Sequence, residues 1–264
     1  MNTNPNLAPD LDVATGREHH GPSESRSISA AKGYERWAPT YDHAPNPLLA
    51  REQRYLLPLL ADFRSKRALD LACGTGRWLE TLIQYGDSGV GIDFSIAMLR
   101  VGAKKSCITG RLARATCEVL PFRTGVFDLA ICSFALGHLG DLDSTLRELA
   151  RVTQPRANIF VSDLHPEAYA RGWRVGFRDE RNAVEIDTLP RQAEEIAQKF
   201  CLNGFESLGH LALRVGEPER HIFARAGKPH LFAEACQFPA ILICHFKRMS
   251  DGSARSFPEL SAKD

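Results

Sequence analysis

Apolar side chains recur along this chain in two rhythms that alternate from about residue 27 onward: spacings of three and four, and short near-continuous runs. Ala30, Ala31, Tyr34, Trp37 and Ala38 follow the first, which places one face of a helix against a core, and Pro39 stops the run. A second helix is predicted over 47–63, with Leu48, Leu49, Leu56, Leu57, Leu59 and Leu60 available for its buried face. The short runs predict strands at 68–72, 89–93, 112–119, 127–133 and 157–163. Helices fall between them at 77–85, 96–103 and 141–153, the last stopped near Pro155. Strands alternating with helices imply an α/β fold, a doubly wound and mostly parallel sheet covered on both faces.

After Asp163 the alternation breaks. Residues 173–177 and 183–187 read as two short strands turning through 179–182, a hairpin inserted over the edge of the sheet. A helix at 191–202 ends at Asn203-Gly204, a strand-like stretch covers 207–215, and a helix at 218–237 is interrupted at Gly227-Lys228-Pro229. A last strand at 239–248 suits an antiparallel hairpin that closes the sheet. Residues 1–25 carry Asn, Pro, Ser, Gly and charge without an apolar period, so they are expected to form a disordered tail. His19 and His20 fall inside it, with no further ligand spaced nearby to suggest a metal.

Composition narrows the function classes. The 33 Lys and Arg against 32 Asp and Glu leave a charge of +1, so no electrostatic handle for nucleic acid is expected. Seven cysteines stand singly with no CxxC pair, which suits reduced thiols in a cytoplasm and neither a disulfide framework nor a metal site. No apolar run approaches the roughly 18 residues that span a bilayer, and no basic stretch followed by an apolar core opens the chain. A membrane role is therefore not expected.

The chemistry gathers at the predicted carboxyl ends of the strands, where open α/β sheets bind ligands. In ALDLACGTGRW, Gly74 and Gly76 let the backbone turn tightly and approach a ligand with no Cβ in the way. Asp93 ends the next strand, where a carboxylate can accept both hydroxyl protons of a ribose. A lone Gly-x-Gly reads most simply as a turn; an Asp before it, the strand-turn-helix context and Asp93 together describe a nucleoside site. A dinucleotide fingerprint would need a third glycine where Leu79 stands, and no Walker lysine follows the glycines.

These motifs resemble the class I S-adenosylmethionine-dependent methyltransferases, in particular the small-molecule branch of the ubiquinone and menaquinone type. The likeness covers 27–163 and implies a Rossmann-like, seven-stranded sheet behind an N-terminal helical lid. It implies S-adenosylmethionine as cofactor and a small-molecule methyl acceptor. By the resemblance, Asp70, Gly74 and Gly76 hold the amino-acid part of the cofactor, Asp93 the ribose, and Phe94 and Met98 the adenine. Ala72 replaces the family's usual glycine at the first motif position. The family's adenine loop, Asp-Ala-Glu-x-Leu-Pro-Phe, corresponds to Thr116-Cys117-Glu118-Val119-Leu120-Pro121-Phe122, so Thr116 replaces the carboxylate. Ser133 and Phe134 fall near the transferred methyl, and Tyr34 and Tyr41-Asp42 match the lid. Tyr41 is a candidate cofactor contact, with packing of an amphipathic lid as the equal reading for both tyrosines.

Transfer from a sulfonium needs positioning, exclusion of water and, for some acceptors, a base. His138 and His165 follow strand ends and are the candidate bases, with Asp163 as an orienting carboxylate; structural imidazoles are the simpler alternative for both histidines. Trp173, Phe177 and Arg178 are expected to wall the acceptor side, or else to form a structural flap. The chain is thus divided into the tail and a single domain over 26–264: a lid at 26–65, a cofactor-binding core at 66–163, an acceptor-side hairpin at 164–190 and the end of the sheet at 191–264. Two other classes stay open, a non-catalytic adenosylmethionine-binding module with a blocked acceptor cavity and a nicotinamide oxidoreductase.

Overall fold

The computed structural model describes residues 26–63, 67–179 and 182–250. The expected tail with His19 and His20 lies outside them, as do 180 and 181 at the predicted hairpin turn.

The chain runs β1 (Arg26–Ile28), α1 (Ala30–Trp37), α2 (Pro47–Asp62), β2 (Ala68–Leu71), α3 (Arg77–Gln84), β3 (Gly89–Asp93), α4 (Ile96–Gly102), β4 (Leu112–Arg114), β5 (Phe127–Ser133), α5 (Leu142–Val152) and β6 (Thr153–Leu164). It continues through α6 (Pro166–Ala170), β7 (Gly176–Asp179), β8 (Asn182–Ile186), α7 (Ala193–Leu202), β9 (Phe205–Leu213), α8 (Arg220–Arg225), α9 (Phe232–Ala235) and β10 (Ile241–Arg248). Seven strands form one sheet in the order β4-β3-β2-β5-β6-β10-β9. The five from β4 to β6 are parallel and β10 is antiparallel to both its neighbours, which is the doubly wound architecture with an antiparallel end.

Alternation along the strands feeds two cores. Leu56 and Leu60 of α2 and Trp78 and Leu82 of α3 pack with Phe160 and Ile243 on one face. Leu146 and Leu149 of α5 and Ile196 and Phe200 of α7 pack with Ile159, Val161 and Phe246 on the other. Asn46 caps α2, its Oδ1 accepting from the Leu48 and Leu49 amides at 2.9 and 3.1 Å. Glu52, on the same stripe as Leu48, Leu56 and Leu60, is fully buried.

Four details differ from the sequence expectation. The third strand stops at Arg114, because the chain folds back at 116–119, where the Val119 amide bonds the Thr116 carbonyl. Helix α5 runs directly into β6, and Pro155 lies inside that strand, with Arg156 at φ +70° and a register shift against β5. The helix at 218–237 breaks at the expected interruption around Gly227-Lys228-Pro229, but less of it is helical than expected, only the short α8 and α9 with single turns at 217–219 and 229–231. The hairpin β7-β8 forms, but it does not cover the sheet's edge. It takes up β1 as a third strand, parallel to β8. The Leu189 amide then bonds the Gly137 carbonyl, which ties the exit of the hairpin to the loop after the central strand β5. The physical reason is Trp37: Phe177, Val184 and Ile186 bury it, so the small sheet serves as the core of the lid.

Candidate active site

The strand order reverses between β2 and β5, since β3 and β4 continue to one side of β2 and β6 to the other. A crevice opens at the carboxyl ends of the strands at such a switch point. A cavity of about 340 Å³ occupies it, roofed by α1 and the turn at 41–43.

Asp70 stands one residue before the end of β2, at the floor, where its Oδ2 accepts from the Leu79 amide at 2.9 Å in the first turn of α3. Burial pushes its carboxyl up to about 7, against the opposing pull of that amide and of Arg77. Ala72 follows with φ +56°, a left-handed conformation that costs an L-residue about 1–2 kcal/mol and that glycine adopts freely. Phe134 stands in the same conformation, φ +51°, after β5. Both line the cavity, so backbone strain is concentrated where the two central strands meet it.

Gly74, at φ +56°, would direct a Cβ into space empty of protein atoms, whereas a Cβ on Gly76 would meet Ile108 Cδ1 at 2.6 Å. Gly74 therefore lines the cavity and Gly76 does not: its role is to admit Ile108 against the start of α3. The Gly74 amide donates to Asp93 Oδ2 at 2.8 Å, and the Ser95 amide to Asp93 Oδ1 at 2.7 Å. Met98 is buried beneath this end of the cavity, Phe94 stands half exposed at its rim with the Arg114 guanidinium over its ring, and Thr116, Cys117 and Glu118 close the side. A carboxylate at a strand end, an uncovered glycine and an apolar slot make a donor and acceptor set suited to an adenosine bearing an amino acid.

Ser133, on β5, belongs to a network the sequence reading did not find. Buried Glu52 accepts from Ser133 Oγ at 2.8 Å and from the Trp78 indole at 3.3 Å, and it also bonds Arg77 Nη2 and Ser162 Oγ. Arg77 Nη2 reaches Ser133 Oγ at 2.9 Å. The lid is joined to this floor on a second line, where Thr75 Oγ1 donates to Asp42 Oδ1 at 2.6 Å and Lys105 pairs with Asp42 at 3.0 Å. One signal for Glu52 was in the sequence: it is a carboxylate at position i+4 from Leu48 and i−4 from Leu56, inside an apolar stripe.

Of the three residues expected to do acid-base work, His138 alone lines the cavity. His165 is turned away as the N-cap of α6, its Nδ1 accepting from the Glu167 amide at 3.1 Å, and burial lowers its pKa. Asp163 does not reach the cavity either. Its Oδ2 accepts from the Gly137 amide at 2.8 Å and its Oδ1 from the Leu164 amide, so it fixes the turn that carries His138. Tyr41 lines the cavity, and burial pushes its phenol up to about 12. The expected aromatic wall is elsewhere. None of the three lines the cavity: Trp173 packs edge-on against Phe238 in the core on one sheet face, Phe177 stacks on Trp37 in the core of the lid, and Arg178 is exposed. Ala30, Ala31, Phe134 and Leu139 line the cavity instead.

Residues 69–161 match the family described as a methyltransferase domain. The chain is 37% identical over 166 residues to a demethylmenaquinone methyltransferase of Corynebacterium urealyticum, covering 54% of this chain and 69% of that one. It is 30% identical over 149 residues to the enzyme of that name from Renibacterium salmoninarum, covering 54% of this chain and 62%, under two thirds, of the relative's length. A solved S-adenosylmethionine-dependent methyltransferase from Mesorhizobium loti shares the fold, with a TM-score of 0.54 and 20% identity over 69% of this chain and 90% of that one. The glycine turn at Gly74, the strand-end carboxylate of Asp93 and these relationships converge: the chain belongs to the class I S-adenosylmethionine-dependent methyltransferases.

Proposed function

We propose that this protein moves a methyl group from S-adenosylmethionine to a small hydroxylated aromatic acceptor by in-line displacement. The observation that carries the reading is the continuity of the cavity: it runs from Asp93, Met98 and Thr116 past Gly74 to Ser133, and on to Tyr34, His138 and Leu139 under the lid. The first part suits the adenosine and its amino acid. The second is the space a non-catalytic binding module would have filled. Against a nicotinamide oxidoreductase stands Leu79, fully buried where a third glycine would receive a pyrophosphate.

The bound cofactor supplies a methyl already activated on a sulfonium, so the chain's own residues have to position, dry and deprotonate. Asp93 holds the ribose hydroxyls, Asp70 and the Gly74 backbone the amino-acid end, and Thr116 and Met98 the adenine. Ala30, Ala31, Phe134 and Leu139 give the acceptor an apolar seat from which water is excluded, and positioning of this kind contributes ~7 to 11 kcal/mol. The name of the relatives, demethylmenaquinone methyltransferase, points to a quinol-type acceptor, which fits an apolar seat with Tyr34 and His138 beside it. No described helix is long and apolar enough to cross a membrane, and the cysteines within the described residues are free, which supports a cytoplasmic place of action.

The test is calorimetric titration with S-adenosylhomocysteine and with NADH, followed by turnover with reduced demethylmenaquinone. Micromolar binding of the first and none of the second is expected. No binding of S-adenosylhomocysteine would sink the reading.

A further inference from the structure

The imidazole of His138 is held at both nitrogens. Its Nδ1 lies 2.9 Å from the Asp187 backbone carbonyl, and its Nε2 lies 2.9 Å from the Tyr34 hydroxyl. A carbonyl oxygen can only accept, so Nδ1 carries a proton, and in the neutral ring Nε2 is then the lone-pair nitrogen. It follows that Tyr34 donates to Nε2. The one basic nitrogen of His138 is engaged by the Tyr34 hydroxyl, so a proton bound for it from the cavity has a path through the Tyr34 oxygen. Both residues line the cavity, beside Ala30, Ala31, Phe134 and Leu139.

From this geometry we propose that Tyr34 and His138 form a two-step proton relay for a hydroxylated aromatic acceptor, with the Tyr34 oxygen as the group that touches the substrate. The inference rests on the methyl-transfer reading above. The acceptor's hydroxyl proton passes to the Tyr34 oxygen as the Tyr34 proton passes to His138 Nε2. The electron pair released on the acceptor forms the new bond to the methyl carbon, at the oxygen or at an adjacent ring carbon, as the bond from the methyl carbon to sulfur breaks and its electron pair stays on sulfur. In the second case the ring hydrogen returns to the oxygen. One positive charge leaves with the lost sulfonium and one appears on the imidazolium, so charge balances.

The surroundings explain why neither residue suffices alone. Burial, with Tyr41, Asp163 and Asp93 nearby, holds the Tyr34 phenol well above its ordinary pKa, so a free phenolate is not available at neutral pH and the proton must leave as it arrives. Burial raises the pKa of Asp163, and His138, the Gly137 and Leu164 amides and Arg191 draw it back down, so a proton arriving on His138 favours the ionised carboxylate that offsets it. The Asp187 carbonyl keeps the ring's orientation through both states. Tyr34 sits on α1, so the relay is complete only when the lid is seated. Its ring is fixed there by stacking on Trp37 at 5.9 Å and by an edge contact with Tyr41 at 6.4 Å.

Tyr34→Phe keeps those ring contacts, and His138→Asn keeps an amide donor for the Asp187 carbonyl while removing the base. Wild type and both variants are titrated with S-adenosylhomocysteine, then assayed with S-adenosylmethionine and a panel of reduced demethylmenaquinone, catechol and phenol across pH 5.5 to 9. Affinity for S-adenosylhomocysteine within threefold of wild type in both variants is expected, which shows that the lid and the nucleoside site are intact. A general base contributes ~10²- to 10⁴-fold, so kcat is expected to fall by at least 100-fold in each, KM to change little, and the acidic limb of the wild-type pH profile to disappear. Wild-type turnover that Tyr34→Phe leaves within threefold, with the acidic limb intact, overturns the relay. So does a wild type that binds S-adenosylhomocysteine yet methylates no hydroxylated aromatic of the panel. A wild type that does not bind S-adenosylhomocysteine overturns the underlying methyl-transfer reading instead.

Discussion

The Gly74 amide points its hydrogen at the carboxylate of Asp93, 2.8 Å away across the gap between two parallel strands. One oxygen thereby sets the glycine turn while the other, through the Ser95 amide, sets the start of α4. Asp93 is thus both a binding group and the peg that gives the turn its shape.

Asp93→Asn replaces charge-assisted bonds, each worth about 1.5–3 kcal/mol, with neutral ones, so affinity for S-adenosylhomocysteine should fall roughly 10- to 100-fold. Calorimetric titration checks this. An unchanged dissociation constant would show that the carboxylate does not hold the ligand.

Asp70 predicts a pH dependence. Its folded-state carboxyl, pushed up to about 7 by burial, lies above the roughly 3.9 of an unfolded aspartate, so between these values the folded protein keeps a proton that the unfolded chain has lost. Stability of the free protein should therefore decline as pH rises from about 4 to about 7. A ligand ammonium beside Asp70 favours the ionised form. Binding of S-adenosylhomocysteine at pH 6 should release a fraction of a proton, and affinity should weaken as pH falls below about 7. Titration at pH 6 in buffers of different ionisation enthalpy measures the release, and zero release would contradict the placement of the ammonium.

Ala72 occupies a left-handed conformation. Ala72→Gly removes about 1–2 kcal/mol of backbone strain and adds about 0.5–1 kcal/mol of unfolded-state entropy, so a net gain near 0.5 kcal/mol is expected in urea unfolding. A loss of more than about 1 kcal/mol would mean that the Ala72 methyl packs against its neighbours to greater effect than the strain opposes.

Glu52 is buried and faces Arg77, Trp78, Ser133 and Ser162. Removing one partner of a buried ion pair costs about 3–5 kcal/mol, so Glu52→Ala should lower the unfolding free energy by that order. Urea unfolding measures it. A cost below about 1 kcal/mol would show that Arg77 finds other partners.

By its resemblance to the family's adenine loop, Asp-Ala-Glu-x-Leu-Pro-Phe, Thr116 stands where that pattern has an aspartate. Thr116→Asp should tighten S-adenosylhomocysteine binding about three- to tenfold, the difference between a neutral and a charge-assisted hydrogen bond. Weaker binding in the variant would argue that Glu118 and Asp93 already make that side of the cavity too negative for another carboxylate.

The sequence by itself determined the alternation of strands and helices, the glycine turn at Gly74 and the strand-end position of Asp93, because each depends on side-chain period or on backbone freedom within a few residues. The closing antiparallel strands were legible for the same reason: Ile241–Arg248 is an apolar run bounded by a proline two residues earlier. Tertiary structure decided which residues of separate segments share the cavity. His138 and His165 both follow strand ends, yet Asp163 and the Asp187 carbonyl turn the first into the cavity while the second caps a helix. Trp173 and Phe177 looked like a binding wall in sequence and became core, because Trp37 and Phe238, far away in the chain, were there to be buried. Tyr34 and His138 stand 104 residues apart and meet at 2.9 Å. No local propensity encodes that meeting. It follows from packing a lid helix, a small sheet and the central strands against one another, a choice the chain makes only when the whole domain closes.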